Sequence, residues 1–225
     1  MRLFKSAIDP FLLESLKKMQ ANDLFKNYYL TGGTALSLQI GHRLSEDIDL
    51  FTKNDMDKEA ILYFAKKYIS EDYTIKNNSE NIFQLFSDKK KLKLDFVKFP
   101  YNLIEPLIAE DGIRMIDKND LSAMKISAAG TRGNEAKDFV DLFFLLKYIP
   151  FEKMVENFKK KYKMKNVLHY LRSVMYFDEV EEENWNSIKY LKSKVSHQTI
   201  IKKLTEEVIS FERNFLIGKT PAGEK

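Results

Sequence analysis

Leu30-Thr31-Gly32-Gly33-Thr34-Ala35-Leu36 is the stretch on which the fold depends, and it is soon followed by His42-Arg43-Leu44-Ser45-Glu46-Asp47-Ile48-Asp49-Leu50. The residues up to Leu30 predict a short strand, and the segment from Ala35 to Ile40 predicts a short helix. Two glycines between a strand and a helix let the backbone approach a ligand closely, and the N–H groups that open the helix point to the same place. The first stretch therefore predicts a phosphate-binding turn, to which Thr34 adds a hydroxyl group; the alternative is an ordinary turn.

The second stretch carries a pair of aspartates on a predicted strand that runs from Asp47 to Phe51. Because Asp47 and Asp49 are two residues apart, both carboxylates project from the same face of the strand. Two oxygen ligands side by side suit Mg²⁺, which usually binds through one or two carboxylates together with substrate phosphates. Taken alone, an Asp-x-Asp pair is usually a solvated strand edge or a loop.

A third carboxylate, Asp95, lies within the predicted strand from Leu92 to Phe99. An acidic residue inside an apolar strand is unusual unless it has a partner or a function. If this strand neighbours the Asp47 strand, three carboxylates converge, and two metal ions held there could clamp the attacking and leaving oxygens of a phosphoryl displacement. The alternative is a charge on an edge strand that discourages aggregation.

The order of the predicted elements indicates an α+β protein with a mixed sheet flanked by helices and followed by a helical lobe. From Leu121 onward the pattern is almost entirely helical, and Tyr148–Pro150 is the predicted boundary between domains at 1–150 and 151–225. The last residues, 218–225, are expected to be frayed. Asp9-Pro10 opens a further predicted helix, in which Phe11, Leu12, Leu16 and Met19 recur at helical spacing. The remaining predicted helices cover 57–69, 121–129, 136–148, 151–162, 167–175 and 200–215, and the remaining strands cover 73–75 and 82–86.

Composition excludes several classes of protein. The chain has 225 residues, 44% hydrophobic and 31% charged, which is typical of a globular protein. It has no cysteine, which excludes disulfides, cysteine-ligated zinc, iron–sulfur clusters and thiol catalysis. A net charge of +4 permits an anionic partner. With neither a secretory signal nor a membrane-spanning segment in the sequence, we expect no membrane partner and a cytoplasmic location.

The combined motifs resemble a known family. Gly32-Gly33-Thr34 followed by Asp47-Ile48-Asp49 resembles the signature of the polymerase-β-like nucleotidyltransferases. The fuller string resembles the AbiEii/AbiGii toxins of abortive-infection toxin–antitoxin systems, as do Met124-Lys125 and the later Lys137-Asp138-Phe139-Val140-Asp141-Leu142. The resemblance covers about residues 25 to 150.

This resemblance implies a role for each matching residue. Asp47, Asp49 and Asp95 would hold Mg²⁺, with two ions expected, and Asp95 would also help to deprotonate an attacking hydroxyl. Lys125 would neutralise the triphosphate as a further catalytic residue. The residues that would bind the nucleoside triphosphate are Gly32, Gly33, Thr34, Arg43, Ser45, Lys125, Asp138 and Asp141. For Arg43 and Ser45 an ordinary loop-to-strand salt bridge is an equal alternative. Asp138 or Asp141 would orient Lys125 or contact the nucleotide, and one of the two could simply be solvated.

The function implied is a Mg²⁺-dependent nucleotidyltransferase toxin that transfers NMP from an NTP and releases pyrophosphate. The resemblance implies an RNA acceptor, with the tRNA 3′ end favoured, and a cognate antitoxin as a possible protein partner. One alternative is nucleotide transfer to a small hydroxyl compound, as antibiotic-modifying enzymes do. The other is a binding module of the same fold that has lost catalysis.

Overall fold

A computed structural model describes residues 2–217, and the tail at 218–225, which we expect to be frayed, lies outside the described residues. The described chain forms seven strands and nine α-helices. The strands are β1 (Tyr29–Leu30), β2 (Asp47–Thr52), β3 (Thr74–Ser79), β4 (Ile82–Ser87), β5 (Leu92–Lys98), β6 (Ile108–Glu110) and β7 (Ile113–Met115). The helices are α1 (Pro10–Gln20), α2 (Gly32–Ile40), α3 (Lys58–Tyr68), α4 (Lys118–Arg132), α5 (Ala136–Leu145), α6 (Phe151–Tyr162), α7 (Leu168–Ser173), α8 (Glu182–Asn186) and α9 (His197–Ile217).

All seven strands join one mixed sheet in the order β3-β4-β5-β2-β1-β7-β6. The pairs β2–β5 and β1–β7 are parallel, and the other neighbours are antiparallel. The predicted α+β class with a mixed sheet is confirmed. Within the described residues, no helix combines the length and the apolar character needed to cross a membrane.

Most predicted elements are present with ends shifted by a few residues, but three short ones are not predicted from the sequence. Strands β6 and β7 have three residues each, and α8 has five, too few to show a hydrophobic period. The start of α2 differs more importantly. The sequence predicts a turn over Thr31–Thr34 and a helix from Ala35, whereas the helix begins at Gly32. Both glycines and Thr34 therefore lie in the first helical turn.

A cluster of buried aromatic side chains packs against one face of the sheet. Phe96 on β5 is 1% exposed, stacks on Phe25 with ring centroids 5.9 Å apart, and lies 6.5 Å from the ring of Phe83. Phe64 of α3 packs edge-on against Phe25 at 5.0 Å. Because neighbouring residues of a strand point to opposite faces, this cluster occupies the face opposite to Asp95.

The described residues divide into two compact units. One comprises the residues up to Leu121 together with Lys189–Lys192 and contains the whole sheet; the other comprises Ser122–Ile188 and the residues from Ser193 onward, and is helical. The first division thus falls earlier in the chain than the predicted boundary at Tyr148–Pro150. In the helical unit α5 packs against α9, and the ring of Phe139 lies 6.1 Å from that of Trp185. These apolar contacts join the residues just before Pro150 to the helices that follow.

Replacing Phe96 by Ala tests the aromatic cluster. We expect Phe96→Ala to lower the free energy of unfolding by about 3–5 kcal/mol, because it leaves a cavity among three aromatic rings. Tyr63→Ala is the control on α3, since Tyr63 is 62% exposed and its loss should cost under about 1 kcal/mol. Urea unfolding followed by circular dichroism measures both. Equal effects of the two changes would contradict the cluster's role.

Candidate active site

The parallel pairing of β2 with β5 brings the three predicted acidic residues to one face of the sheet. Asp49 lies opposite Asp95, and Asp47 lies opposite Lys93. In-register neighbours share a face, as do residues two apart on one strand. The condition set by the sequence, that these two strands be neighbours, is therefore met. The metal-binding and catalytic roles of Asp47, Asp49 and Asp95 remain predictions.

Lys93 lies among these carboxylates, and the sequence-based reasoning missed it. Its Nζ is 3.0 Å from Asp95 Oδ2 and 3.9 Å from Asp47 Oδ2. Burial alone would lower the pKa of the Lys93 ammonium, but the charges of Asp47, Asp95 and Asp49 hold this pKa above its ordinary value. The alternation that separates Leu94 from Asp95 also places Lys93 beside Asp95, so a signal for it was present in the sequence.

The glycine bend lies directly against Asp49. Gly32 has φ +68°, a conformation that side chains disfavour, and a Cβ there would overlap Asp49 Oδ2 and lie 2.9 Å from its Cγ. The Thr31 N–H donates to the Asp49 carbonyl at 2.9 Å, which joins the bend to β2. A glycine is therefore needed here both for its backbone angle and for the space that Asp49 occupies.

The guanidinium of Arg43 lies on the other side of the bend. A Cβ on Gly33 would come within 2.5 Å of Arg43 Nη2 and 3.3 Å of Ser45 Oγ. Arg43 is buried, and its Nη1 donates to the Leu44 carbonyl at 2.9 Å. A fixed guanidinium beside the amides that open a helix is a favourable setting for a phosphate oxygen.

Thr34 connects α2 to the start of β2. It is fully buried, its hydroxyl donates to the Asp47 carbonyl, and its Oγ1 lies 2.8 Å from Ser45 Oγ. In this structure the hydroxyl therefore fixes the bend relative to the aspartate strand. Nucleotide binding by Thr34 and Ser45 remains a prediction.

A distant piece of the chain, Lys189–Lys192, supports the loop that carries Arg43. Tyr190 forms a β-bridge with Arg43, the Leu44 N–H donates to the Lys189 carbonyl at 2.8 Å, and Lys189 Nζ lies 2.7 Å from Glu46 Oε1. The sequence contains no local signal for this contact, because about 145 residues separate the two segments.

The donors of the acidic face fit a divalent cation. Among the described residues no three His, Cys, Asp or Glu side chains are already grouped as a metal site, and the Lys93 ammonium lies beside Asp95. Asp95 nevertheless has a buried Oδ1 with no hydrogen-bond partner within the described part of the chain. An orphaned carboxylate oxygen beside two further carboxylates is the type of ligand set that Mg²⁺ binds.

Lys125, Asp138 and Asp141 form an ion cluster within the helical unit. Lys125 Nζ lies 2.8 Å from Asp138 Oδ1 and 2.5 Å from Asp141 Oδ2. Lys125 is 6% exposed, and the two aspartates are at most 1% exposed. Neither aspartate is solvated, so that alternative is wrong for both. Removing one member of such a buried cluster leaves an uncompensated charge, so the loss of Lys125 alone should destabilise the helical unit.

Comparison with known proteins supports the assignment of the fold. The model of the family described as "Nucleotidyl transferase AbiEii toxin, Type IV TA system" matches residues 14–213. An uncharacterized protein of Aquifex aeolicus is 32% identical over 185 residues, which span 78% of this chain and 86% of that protein.

Two solved structures share the fold. A putative nucleotidyltransferase from H. pylori has a TM-score of 0.59 at 17% identity, covering 94% of this chain and 96% of its own. The nucleotidyltransferase toxin MenT4 of Mycobacterium tuberculosis has a TM-score of 0.56 at 14% identity, covering 88% of this chain and 81% of its own.

Gly32→Ala tests the contact between the bend and Asp49. We expect it to lower the free energy of unfolding by about 1–3 kcal/mol from backbone strain, with a further loss from the overlap with Asp49. Gly112→Ala is the matched control, because Gly112 has φ +77° but no atom within 4 Å of an added Cβ. Chemical denaturation measures the free energy of unfolding of both variants, and the difference between their losses gives the cost of the overlap with Asp49. Equal losses would contradict close packing of Asp49 on the bend.

Lys125→Met tests the buried cluster. We expect a loss of about 3–5 kcal/mol, because Asp138 and Asp141 would stay buried without the ammonium. The triple change Lys125→Met, Asp138→Asn, Asp141→Asn should recover part of that loss, and Lys153→Met, which breaks an exposed pair with Glu156, should cost little. Trp185 is the single tryptophan and lies in this unit, so its fluorescence reports the unfolding. A near-neutral Lys125→Met would contradict the structural role.

Proposed function

The chain belongs to the AbiEii family of nucleotidyltransferase toxins of type IV toxin–antitoxin systems, and on that premise we propose that it transfers NMP from an NTP to an RNA hydroxyl at the Asp47–Asp49–Asp95 face. The observation that carries this site is the β2–β5 register, which places Asp49 opposite Asp95 and Asp47 on the same face. Family membership makes the chain a nucleotidyltransferase; the site, the metal and the acceptor are the proposal.

The glycine bend and Arg43 bind the triphosphate in this proposal. The N–H groups in the first turn of α2 and the guanidinium beside Gly33 offer donors and positive charge to phosphate oxygens. Ser45, next to both Gly33 and Thr34, adds a hydroxyl. Gly32 leaves the space that the Asp49 carboxylate occupies, which sets this carboxylate directly against the bend.

Asp47, Asp49 and Asp95 would hold Mg²⁺, which supplies charge neutralisation for the pentavalent transition state when it is bound. Asp95 would also help to deprotonate the attacking hydroxyl, as the resemblance to the superfamily implies. The hydroxyl oxygen forms a bond to the α-phosphorus, and the bond from that phosphorus to the β-phosphate bridging oxygen breaks. Pyrophosphate leaves with the electron pair.

Lys125 keeps its proposed part in triphosphate binding, and Asp138 and Asp141, which lie 2.8 Å and 2.5 Å from its Nζ, would orient it. The resemblance to the family's later motifs supports this part, and the buried ion cluster adds a structural role to it. A loss of activity in Lys125→Met therefore counts as evidence for triphosphate binding only where the folded helical unit is retained.

The acceptor that we propose is the tRNA 3′ end, and the partner is a cognate antitoxin. A type IV family and a net charge of +4 support an anionic substrate and an antitoxin encoded with the toxin. Both NTP and tRNA are cytoplasmic, so the protein would act in the cytoplasm.

The double change Asp47→Asn, Asp49→Asn tests the proposal. Wild-type protein incubated with each α-labelled NTP, Mg²⁺ and total RNA should label tRNA, and the variant should label it at least about a hundredfold less, because charge stabilisation dominates such transfers. Circular dichroism confirms that the variant folds. The matched control is Asp55→Asn, Asp88→Asn, which removes two exposed aspartates that pair with Lys98 and Lys91.

Each other outcome has a defined meaning. Label in a small hydroxyl compound and not in RNA would replace the acceptor and keep the chemistry. Transfer that persists in the double variant would contradict the proposed site. Growth inhibition without any transfer from any NTP would indicate a binding module that has lost catalysis.

A further inference from the structure

Lys93 is a positive charge that β5 places within the acidic face. Its Nζ lies 3.0 Å from Asp95 and 3.9 Å from Asp47. Lys93 is two residues before Asp95 on β5, so the two side chains share one face of the sheet. The side chain of Lys93 is 37% exposed, so part of it is in contact with solvent.

Three carboxylates on one sheet face repel each other when no cation lies among them. The ammonium of Lys93, 3.0 Å from Asp95 and 3.9 Å from Asp47, provides such a cation. A divalent cation that binds Asp95 and Asp47 would meet this ammonium at the same oxygens. Like charges at this separation are unfavourable, so the two cations compete.

We propose that Lys93 is a built-in counter-cation, which holds the acidic face together before loading and weakens the binding of a divalent cation until a nucleotide is present. This inference rests on the metal site of the proposed function. The triphosphate brings negative charge that offsets the ammonium, so metal and nucleotide bind more tightly together than separately. The acidic face therefore binds the metal more tightly together with a nucleotide than it binds the metal alone.

Lys98 offers a matched control on the same strand. The Lys98 side chain is 34% exposed, a fraction similar to the 37% of Lys93. Its Nζ lies 2.5 Å from Asp55 Oδ1. It lies opposite Thr52, at the far end of β2 from Asp47. Lys98→Met therefore removes the same charge and the same kind of ion pair without touching the acidic face.

The test is Mn²⁺ binding, measured by electron paramagnetic resonance on the full chain without nucleotide. Lys93→Met should bind Mn²⁺ about tenfold more tightly than wild type, because one adjacent positive charge is removed. Lys93→Arg, which keeps the charge, and Lys98→Met should stay within twofold of wild type. Adding a non-hydrolysable NTP should strengthen Mn²⁺ binding in wild type more than in Lys93→Met. Circular dichroism establishes that each variant is folded.

The outcomes separate this inference from the proposed function. Suppose that wild type binds Mn²⁺, that the double variant Asp47→Asn, Asp49→Asn does not, and that Lys93→Met binds as tightly as wild type. The metal site is then supported, and the role of Lys93 as a counter-cation is overturned. Weaker binding in Lys93→Met also overturns it. If neither wild type nor Lys93→Met binds Mn²⁺, with or without nucleotide, the metal site of the proposed function fails and this inference fails with it.

Discussion

The parallel register between β2 and β5 is the constraint on which the site depends. It sets Asp49 opposite Asp95 and Asp47 opposite Lys93. Side chains on a strand alternate between faces, so a slip of one residue would move β5's acid and lysine to the aromatic side and Phe96 to the acidic side. The aromatic cluster around Phe96 prevents that slip, because moving so large a ring to the polar face would cost several kcal/mol of burial. The apolar core thus fixes the geometry of the polar site.

The surroundings of this face make a close group of acids tolerable. The bend at Gly32 gives Asp49 room against the backbone, and Thr34 ties the same bend to the Asp47 carbonyl. Arg43 and Lys93 bring positive charge from two directions, one beside the bend and one on β5. The resulting face therefore combines three carboxylates with positive charge from Arg43 and Lys93.

How far the sequence predicted this structure depends on how local each feature is. The acidic strands, the glycine bend and most helices have signals within a few residues, and they are present. The helix start at Gly32 was misplaced because paired glycines signal a turn more strongly than a first helical turn. The support of Arg43 by Lys189–Lys192 and the joining of α5 to the later helices depend on contacts between distant residues, which periodicity cannot reveal. Lys93 was predictable in principle, since it shares the alternation that identified Asp95.

The central claim is that Asp47, Asp49 and Asp95 bind divalent metal together with a nucleoside triphosphate. A crystal structure of the full chain soaked with Mn²⁺ and a non-hydrolysable NTP tests it most directly, through the anomalous signal of the metal. We predict an anomalous peak about 2.1–2.3 Å from carboxylate oxygens of Asp47 and Asp49, with triphosphate oxygens beside the glycine bend. Metal and triphosphate bound elsewhere, with the three carboxylates uninvolved, would contradict the account.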